Sequence, residues 1–542
     1  MLSKPVVLWG FMGSGKTTIG QELAKRLSWS FTDTDELIQQ RKGKTIPEIF
    51  AQEGEPTFRR WEAEILQEVL KEGRQVIAVG GGAPANPDNL HRLKNSAFNV
   101  YLFVAPEVLY ERLTAVTDRP LLMGSSDRYG TIVTLLKSRS PYYQTADLML
   151  VCGRRSPEDI ADQIADWVRA LNDEDRVITI PLDSRSHPVV IGERVLGRAG
   201  SLFKAQRLFG PFALIEDGAV SELFGGTLEE SLAPLGRVIR QSIKSGEESK
   251  TPQEAIRLWS WLAKEGLGRD ATIVAVGGGA CGDLSAFVAA TFLRGVALVQ
   301  VPTTLLAMVD SAIGGKAAVD LPEGKNLVGA FHQPRLILSD LTTLQSLPPR
   351  SYRAGLAEVV KYGMIADPDL LQYLFQHSDA VGNQSTRALS SLVARCVAIK
   401  GSIVAADEKE ESGVRMILNY GHTFGHALEA ATGFSLLHGE AIALGMMAEA
   451  YLSWRLGLCR RSVVEAQYDL LTLLGLPTHI AQLSVPPPDF QTLNDFFRRD
   501  KKKKGDQVRL VLLTDIGHPF LFSDPIDHSL LSEAWSFILS GK

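Results

Sequence analysis

The sequence predicts an α/β protein of more than one domain whose last third turns mainly helical. Two α/β series are visible, each alternating short apolar runs with amphipathic helical patterns, and from about Gly355 the periodicity becomes that of long helices. A length of 542 residues exceeds the size at which one hydrophobic core keeps growing, so at least two folds are expected. "VGGG" occurs at 79–82 and again at 276–279, but the surroundings differ and no period joins them, so the chain is not read as a repeat.

The elements follow in order. "VVLWG" reads as the first strand and is followed by a helix from Lys16; further strands fall at "VIAVGGG", 76–82, and "NVYLFVA", 99–105. A helix over Pro157–Leu171 runs into the polar "NDED" at 172–175, which places a first domain at 1–171 and a linker at 172–176. The second series has "ALIED" at 213–217, "TIVAVGGG" at 272–279, "LVQVP" at 298–302 and "LILSD" at 336–340, giving an α/β domain over 177–354. Residues 355–542 form the mainly helical domain, with "VRLVLL" at 508–513 as its strand signal.

Composition excludes several classes. Hydrophobic residues at 45% and charged residues at 22% are the mixture of a globular protein with a sizeable core, not of a disordered chain. A formal charge of −5 argues against a nucleic-acid or anionic-membrane partner, which would need a basic field. Cys152, Cys281, Cys396 and Cys459 are scattered with no close pair, so neither a disulfide framework nor a thiolate zinc site is expected, and a reducing cytoplasm is the simplest setting. Met1 to Pro5 is too short for a signal peptide. The apolar run Val296–Gly315 is broken by Gln300, Pro302 and Asp310, a poor membrane span.

"GFMGSGKT", Gly10 to Thr17, fits the phosphate-binding pattern G-x-x-x-x-G-K-[ST] between a strand and a helix. The glycines let backbone N–H groups curl round a phosphate, so Gly13, Ser14, Gly15, Lys16, Thr17 and Thr18 are the candidate nucleotide cradle, with Lys16 on the transferred group and Thr17 on Mg²⁺. "DTD" at 33–35 follows a strand, where alternation can aim one carboxylate at metal and the other at a substrate hydroxyl. Arg59 in "GEPTFRRWE" and Arg139 in "RSPYY" suit a carboxylate fork, and "DRPLL" at 118–122 sits where an arginine lid would lie.

Together and in this order, these pieces resemble shikimate kinase over about residues 4–170. The resemblance implies a P-loop parallel sheet with helices on both faces and transfer of phosphate from ATP to shikimate. It places Lys16 and Arg119 on the transferring group, Thr17 and Asp33 on Mg²⁺, and Arg112 on adenine. Shikimate would be held by Asp35, Arg59, Gly81, Gly82 and Arg139, with Asp35 nearest the reacting hydroxyl.

In the second series "VAVGGGACGDLSAF", 274–287, is a strand, a glycine turn and a helix start that can approach a dinucleotide pyrophosphate. It is not the usual G-x-G-x-x-G, and a turn without a ligand fits equally well. Arg294, Lys316, Lys325 with Asn326, and Lys361 stand in otherwise apolar segments and read as a pocket for a small polyanion. Glu358 and Lys361, three apart, would share a helix face. Three of the ten histidines crowd into "LNYGHTFGHALEAATGFSLLHGE", 418–440; by spacing alone His422 and His426, four apart, look like the metal pair.

This set closely resembles 3-dehydroquinate synthase over about residues 176–540, and the resemblance alters the ligand assignment. It implies a Rossmann-like domain followed by the helical one, and a divalent ion, Zn²⁺ or Co²⁺, held by Glu358, His422 and His438, while His426 contacts substrate. Lys316, Asn326, Lys361, Lys400, Arg415 and Asn419 map to substrate, and Arg294 to its phosphate. Asp217, Glu247, Lys250, Gly278, Gly279, Asp283, Thr303, Thr304, Asp310 and Lys325 map to NAD. The run "RRDKKKKGD", 498–506, reads first as a solvated loop, and the family pattern carries a substrate role to Lys501. Ala317, Ala318, Asp320 and Cys281 depart from the family's usual residues.

The implied substrate is 3-deoxy-D-arabino-heptulosonate 7-phosphate, and the implied chemistry is a transient oxidation by NAD that acidifies a neighbouring C–H, loss of phosphate, return of the hydride and an intramolecular aldol closure. The family also implies a homodimer through this part. Two alternatives stay open: a P-loop kinase joined to a metal-dependent polyol dehydrogenase, and a nucleotide-gated switch controlling the second half.

Overall fold

Val6–Trp9 is buried on both faces, as the centre of a parallel sheet requires, and forms β1. The computed structural model describes residues 2–114, 127–433, 435–492, 494–495 and 509–540. The chain continues through α1 (Lys16–Leu27), β2 (Ser30–Asp33), α2 (Thr34–Lys42), α3 (Ile46–Glu53), α4 (Glu55–Val69), β3 (Gln75–Ala78) and α5 (Pro87–Ser96). Next come β4 (Phe98–Phe103), α6 (Pro106–Leu113), α7 (Arg128–Tyr143), β5 (Leu148–Val151) and α8 (Pro157–Ala170). The five strands are parallel in the order β2-β3-β1-β4-β5. Because neighbours β1, β2 and β3 run the same way, the loops after them, at Gly10, Asp33 and Gly80, open on one edge. That is where open α/β sheets bind ligands.

The stretch 172–176, expected as a linker, is a closed turn. Asp175 accepts from Asn172 N at 2.7 Å and pairs with Arg198 at 2.9 Å, its own side chain only 3% exposed. The turn enters β6 (Arg176–Ile180) and its neighbour β7 (His187–Gly192), and α9 (Ala199–Ala205) then packs on α8. Gln163 donates to Ala205 O at 3.0 Å and Arg207 pairs with Asp166 at 2.6 Å. These ties carry the first packing unit past the expected boundary: it comprises Met1–Val190, Leu196–Pro211 and Thr227–Val238, and the second comprises Ile191–Val195, Phe212–Gly226 and Ile239–Lys542.

The chain proceeds through β8 (Phe212–Asp217), α10 (Gly226–Leu232), β9 (Val238–Ile243), α11 (Pro252–Lys264), β10 (Thr272–Gly277), α12 (Gly279–Thr291), β11 (Ala297–Pro302), β12 (Lys316–Leu321), β13 (Gly324–Phe331) and β14 (Leu336–Asp340). Within the second unit the strand order is β14-β11-β10-β8-β9, with β10 parallel to β8 and β11, and β11 parallel to β14. Ile273, Leu298, Leu258 and Leu284 fill the layer between these strands and α11 and α12. β12 and β13 form a separate antiparallel hairpin that the apolar-run reading does not anticipate.

The helical part holds α13 (Pro349–Ile365), α14 (Pro368–Gly382), α15 (Thr386–Ala406), α16 (His422–Ala431), α17 (His438–Arg455), α18 (Arg461–Leu473) and α19 (His528–Ser540), with β15 (Leu510–Asp515) paired to β16 (His518–Phe522). Among the described residues α15 alone is long and apolar enough to cross a membrane, and 56% of its apolar window is buried inside the protein.

One contact tests how the first unit closes. A Cβ on Gly200 of α9 would stand 2.1 Å from Ser231 O, whereas one on Gly197 would meet nothing within 4 Å. Gly200→Ala is expected to destabilise that unit by about 1–3 kcal/mol, read as a lower urea midpoint, with Gly197→Ala as the near-neutral control.

Candidate functional site

The loop after β1 is built from backbone. Gly10, Gly13 and Gly15 take φ of 152°, 79° and 91°, which L side chains rarely adopt, and this curl makes the loop an anion nest. Lys16 folds back over it, donating to Gly10 O at 2.9 Å and Phe11 O at 3.1 Å. Thr17 Oγ1 donates to Asp33 Oδ2 at 2.7 Å while Asp33 Oδ1 caps α2 through Asp35 N at 3.0 Å. A hydroxyl and a fixed carboxylate side by side are the oxygen donors a hard ion such as Mg²⁺ takes, so the residues present fit it. Thr18 is exposed on the first turn of α1. Arg112 donates to Gly13 O at 3.2 Å and Gly153 O at 2.9 Å, so it borders the nest from α6.

The glycines after β3 gather the remaining candidates. A Cβ on Gly80 would lie 2.8 Å from Asp35 Oδ1, on Gly81 3.5 Å from Arg139 Nη1, and on Gly82 2.5 Å from Arg59 Nη1. Asp35, Arg59 and Arg139 therefore converge around a backbone segment that only glycine leaves open. Arg59 is held by Glu55 at 2.9 Å and Glu62 at 3.0 Å, Arg139 lies over the Phe11 ring, and Tyr143 OH donates to Gly81 O. Glu62 is 1% exposed; burial pushes its carboxyl up to about 7 against the pull of Arg59. Arg119 lies outside the described residues.

In the second unit β10 ends at Gly277 and α12 starts at Gly279. A Cβ on Gly278 would meet Thr304 Cγ2 at 3.2 Å and one on Gly279 would meet Ser311 Oγ at 2.9 Å, while Thr303 N donates to Gly277 O at 2.9 Å. The bare turn at a helix N-terminus fits a dinucleotide pyrophosphate. Asp217 ends β8 beside it, where a Cβ on Gly277 would stand 2.7 Å from Asp217 Cβ. Buried Lys250 donates to Asp283 at 2.6 Å and to Asn326 at 2.5 Å, and Glu247 lies 3.8 Å from Lys250 and 3.9 Å from Lys325. These five residues form one network.

α13 presents Glu358 and Lys361 on one face, ion-paired, with exposures of 0% and 1%. Glu358 Oε1 lies 3.5 Å from His422 Nε2, where α16 begins, and 3.5 Å from His438 Nε2, where α17 begins. One ligand atom from each of the three falls within 4.8 Å of the others. The other ring nitrogens are occupied: His422 Nδ1 faces Tyr420 O at 3.2 Å and His438 Nδ1 faces Glu429 at 3.5 Å. Two imidazoles steered in this way, with one carboxylate, fit Zn²⁺ or Co²⁺. Burial raises the Glu358 carboxyl, but Lys361, His422 and His438 together outweigh it and hold the group below the usual range. Burial likewise opposes charge on His438, but contacts with Glu358 and Glu429 raise it to about 10. His426 falls in a second grouping, with Glu429 and His438.

The cations beside this triad are tied down. Lys400 donates to Asp310 Oδ1 at 2.7 Å, Tyr362 OH to the same oxygen at 2.6 Å, and Lys361 lies 3.9 Å from it. Arg415 donates to Glu408 O at 2.9 Å, and Glu410 pairs with both Arg415 at 3.4 Å and Lys316 at 2.5 Å. Asn419 is exposed three residues before His422. Arg294 does not join the group: it is exposed past the far end of α12, whose 13 residues span about 20 Å from the glycine turn. Lys501 lies outside the described residues.

Three family models match the chain: Shikimate kinase over residues 12–169, 3-dehydroquinate synthase N-terminal over 240–354, and 3-dehydroquinate synthase C-terminal over 355–503. The 3-dehydroquinate synthase of Acidithiobacillus ferrooxidans is 45% identical over 344 residues, 63% of this chain and 93% of that protein. The enzyme of the same name from Desulforamulus reducens is 40% identical over 357 residues, 66% and 98%. The chain belongs to the 3-dehydroquinate synthase family, with a shikimate kinase joined ahead of it. It is a bifunctional enzyme of the shikimate pathway. A solved 2-deoxy-scyllo-inosose synthase, complexed with carbaglucose-6-phosphate, NAD⁺ and Co²⁺, is 31% identical, covers 67% of this chain and 100% of its own, and superposes with a TM-score of 0.62. These matches favour the synthase over the polyol dehydrogenase and the switch that the sequence left open.

The kinase and synthase sites also contain carboxylates that sequence reasoning missed. Glu62 is one helical turn beyond Arg59, and Glu429 is one turn beyond His426; each could have been found by asking what a helix puts beside the predicted residue. Glu62 has a measurable signature. Because its folded value stands above the ordinary 4.5, the native kinase unit keeps a proton that the unfolded chain loses between pH 4.5 and about 7. Stability should therefore fall as pH rises through that window, by up to about 3 kcal/mol, and Glu62→Gln should remove the fall. Urea midpoints measured across the window for both proteins check this.

Proposed function

We propose that the residues gathered at the two sites carry the two reactions: phosphorylation of shikimate by ATP, and conversion of 3-deoxy-D-arabino-heptulosonate 7-phosphate to 3-dehydroquinate and phosphate. The functional segments are the kinase over 1–171, the linker 172–176, the NAD-binding part over 177–354 and the helical metal- and substrate-binding part over 355–542, although packing divides the chain differently. The observation that carries the reading is the meeting of Glu358, His422 and His438 on three helix starts and faces, with the buried Lys361 beside them.

In the kinase, the nest from Gly13 to Thr18 and Lys16 hold the nucleotide phosphates, and Thr17 with Asp33 holds Mg²⁺, which neutralises phosphate charge when bound. Arg59 and Arg139 receive the shikimate carboxylate over Gly81 and Gly82, which directs a ring hydroxyl toward Asp35 as the base. Arg112 contacts the nucleotide, and the family resemblance assigns Arg119, outside the described residues, to the transferring group.

In the synthase, Gly278 and Gly279 with Thr303 and Thr304 receive the NAD pyrophosphate, and Asp217, Glu247, Lys250, Asp283, Asp310 and Lys325 surround the remainder. NAD would supply a reversible hydride acceptor when bound, and Glu358, His422 and His438 would hold a divalent ion able to polarise the substrate oxygens. Lys316, Asn326, Lys361, Lys400, Arg415, Asn419, His426 and Lys501 bind the substrate's anionic and hydroxyl groups. Lys361, Lys400 and Arg415 are buried, and there a cation gains far more than at a surface, so binding and leaving-group stabilisation share the same residues. Arg294 stands about a helix length from the turn in its own chain, which supports a homodimer through the synthase part. Four free cysteines accord with a cytoplasmic enzyme.

Two substitutions separate the reactions. Lys16→Met should lower shikimate-dependent ADP formation by about 100- to 1,000-fold and leave NAD-dependent phosphate release near wild type. His422→Ala should lower phosphate release by more than about 100-fold and spare the kinase. Phosphate release should proceed with no net NADH; accumulation of NADH with turnover would reject the synthase reading. Sedimentation velocity should show a dimer.

A further inference from the structure

The helix α17 carries one of the proposed ligands and grips both helices that carry the other two. His438 is its first residue. Glu440 accepts from Leu437 N at 3.0 Å and takes a two-pronged bond from Arg350, Nε at 2.7 Å and Nη2 at 2.8 Å. Arg350 lies in the first turn of α13, eight residues before Glu358 on the same helix. At this level the two helices are in backbone contact, since a Cβ on Gly439 would stand 1.8 Å from Ala354 O.

Eleven residues beyond His438, about 16 Å along the helix, fully buried Glu449 accepts from Gly421 N at 2.6 Å. The amides of Thr423 and Phe424 also point at this carboxyl, so it caps the N-terminus of α16, whose first residue is His422. Here too the backbones nearly touch: a Cβ on Gly445 would lie 1.9 Å from Gly421 O. Neither Glu440 nor Glu449 falls in the groups whose atoms could share an ion.

We propose that Arg350, Glu440 and Glu449 are positioning residues of the metal site: α17 serves as a ruler that grips α13 through the Arg350–Glu440 fork and α16 through Glu449, and so sets Glu358 and His422 at the right distance from its own His438. The proposal rests on the reading of those three residues as metal ligands. A 0.5–1 Å slip of either neighbouring helix would open the ligand set without removing a ligand. Outer-shell partners of this kind change metal affinity by about 10- to 100-fold.

The test uses the full chain, stripped of metal, with Zn²⁺ affinity measured by competition against a chromophoric chelator and geometry followed by the visible spectrum of the Co²⁺-loaded protein. Glu449→Leu removes the cap and is expected to weaken Zn²⁺ binding by about 10- to 100-fold and alter the Co²⁺ bands. Burial holds the Glu449 carboxyl well above the ordinary carboxylate range, so Glu449→Gln, a neutral side chain that keeps the acceptor oxygen, should restore both readouts to near wild type. Arg350→Met should weaken binding in the same direction; its guanidinium is 54% exposed, so this variant decides the matter if Glu449→Leu does not fold. Folded Glu449→Leu and Arg350→Met with wild-type affinity and unchanged Co²⁺ bands overturn the proposal, even if their melting temperatures drop. If the wild-type chain binds no Zn²⁺, or His422→Ala binds it as well as wild type, the ligand reading itself falls and takes this proposal with it.

Discussion

A carboxylate with no exposed surface, Glu358, is the constraint around which the synthase part is arranged. Removing such a charge from water costs several kcal/mol unless its partners are well placed. Here they are Lys361 on the same helix face and the two imidazoles at the starts of α16 and α17. Lys361 is itself buried and lies 3.9 Å from Asp310, which also takes bonds from Lys400 and Tyr362. Charges of alternating sign thus run from the metal group to Asp310, whose neighbour Ser311 sits against the glycine turn. Each member would be costly alone, and each is tolerable because the next is in place. The helices that carry them have little freedom to move singly, which is what a preorganised site requires.

The kinase part solves a similar problem with less buried charge. Its phosphate nest is made of glycine backbone and is set by local φ angles, so it forms wherever strand and helix are correctly joined. The acceptor pocket uses a largely buried ion pair, Arg59 with Glu62, and there burial works against ionisation of the acid. The two strategies match the tasks. An N–H nest recognises a phosphate chain, a feature of every nucleotide, whereas fixed guanidiniums over Gly81 and Gly82 select the geometry of one carboxylate.

What could be read from the sequence follows the same division. The P-loop is local, and the fold places Thr17 and Asp33 together as the pattern implies. The metal group is not local. Spacing points to His422 and His426, which share α16, whereas the structure brings His438, at the start of α17, beside Glu358 and His422 and groups His426 with Glu429 and His438. Glu358 arrives from 64 positions upstream of His422, and family resemblance, not periodicity, named it. Glu62, Glu429 and Glu449 looked like ordinary helical acids, since nothing in a linear window distinguishes a carboxylate facing a cap or an imidazole from one facing water. The turn at 172–176 looked like a linker because its polar residues gave no sign that Asp175 would meet Arg198.

The buried acid Glu449 shows why such a group can sit so near a metal without joining it. A helix N-terminus favours a negative charge, and an ionised carboxylate would cap α16 well. Yet Glu358 and Glu429, both held below the usual carboxylate range, already stand beside the histidines. A third ionised carboxylate would turn the surroundings negative before a substrate that carries phosphate and carboxylate of its own, and in a low-dielectric interior that repulsion would reach the cation pocket of Lys316, Lys400 and Arg415. Burial pushes the Glu449 carboxyl well above the ordinary carboxylate range, against the backbone N–H groups of Gly421, Thr423 and Phe424, which pull it down. Burial thus disfavours charge at the position where the carboxyl orients the start of α16 through Gly421 N.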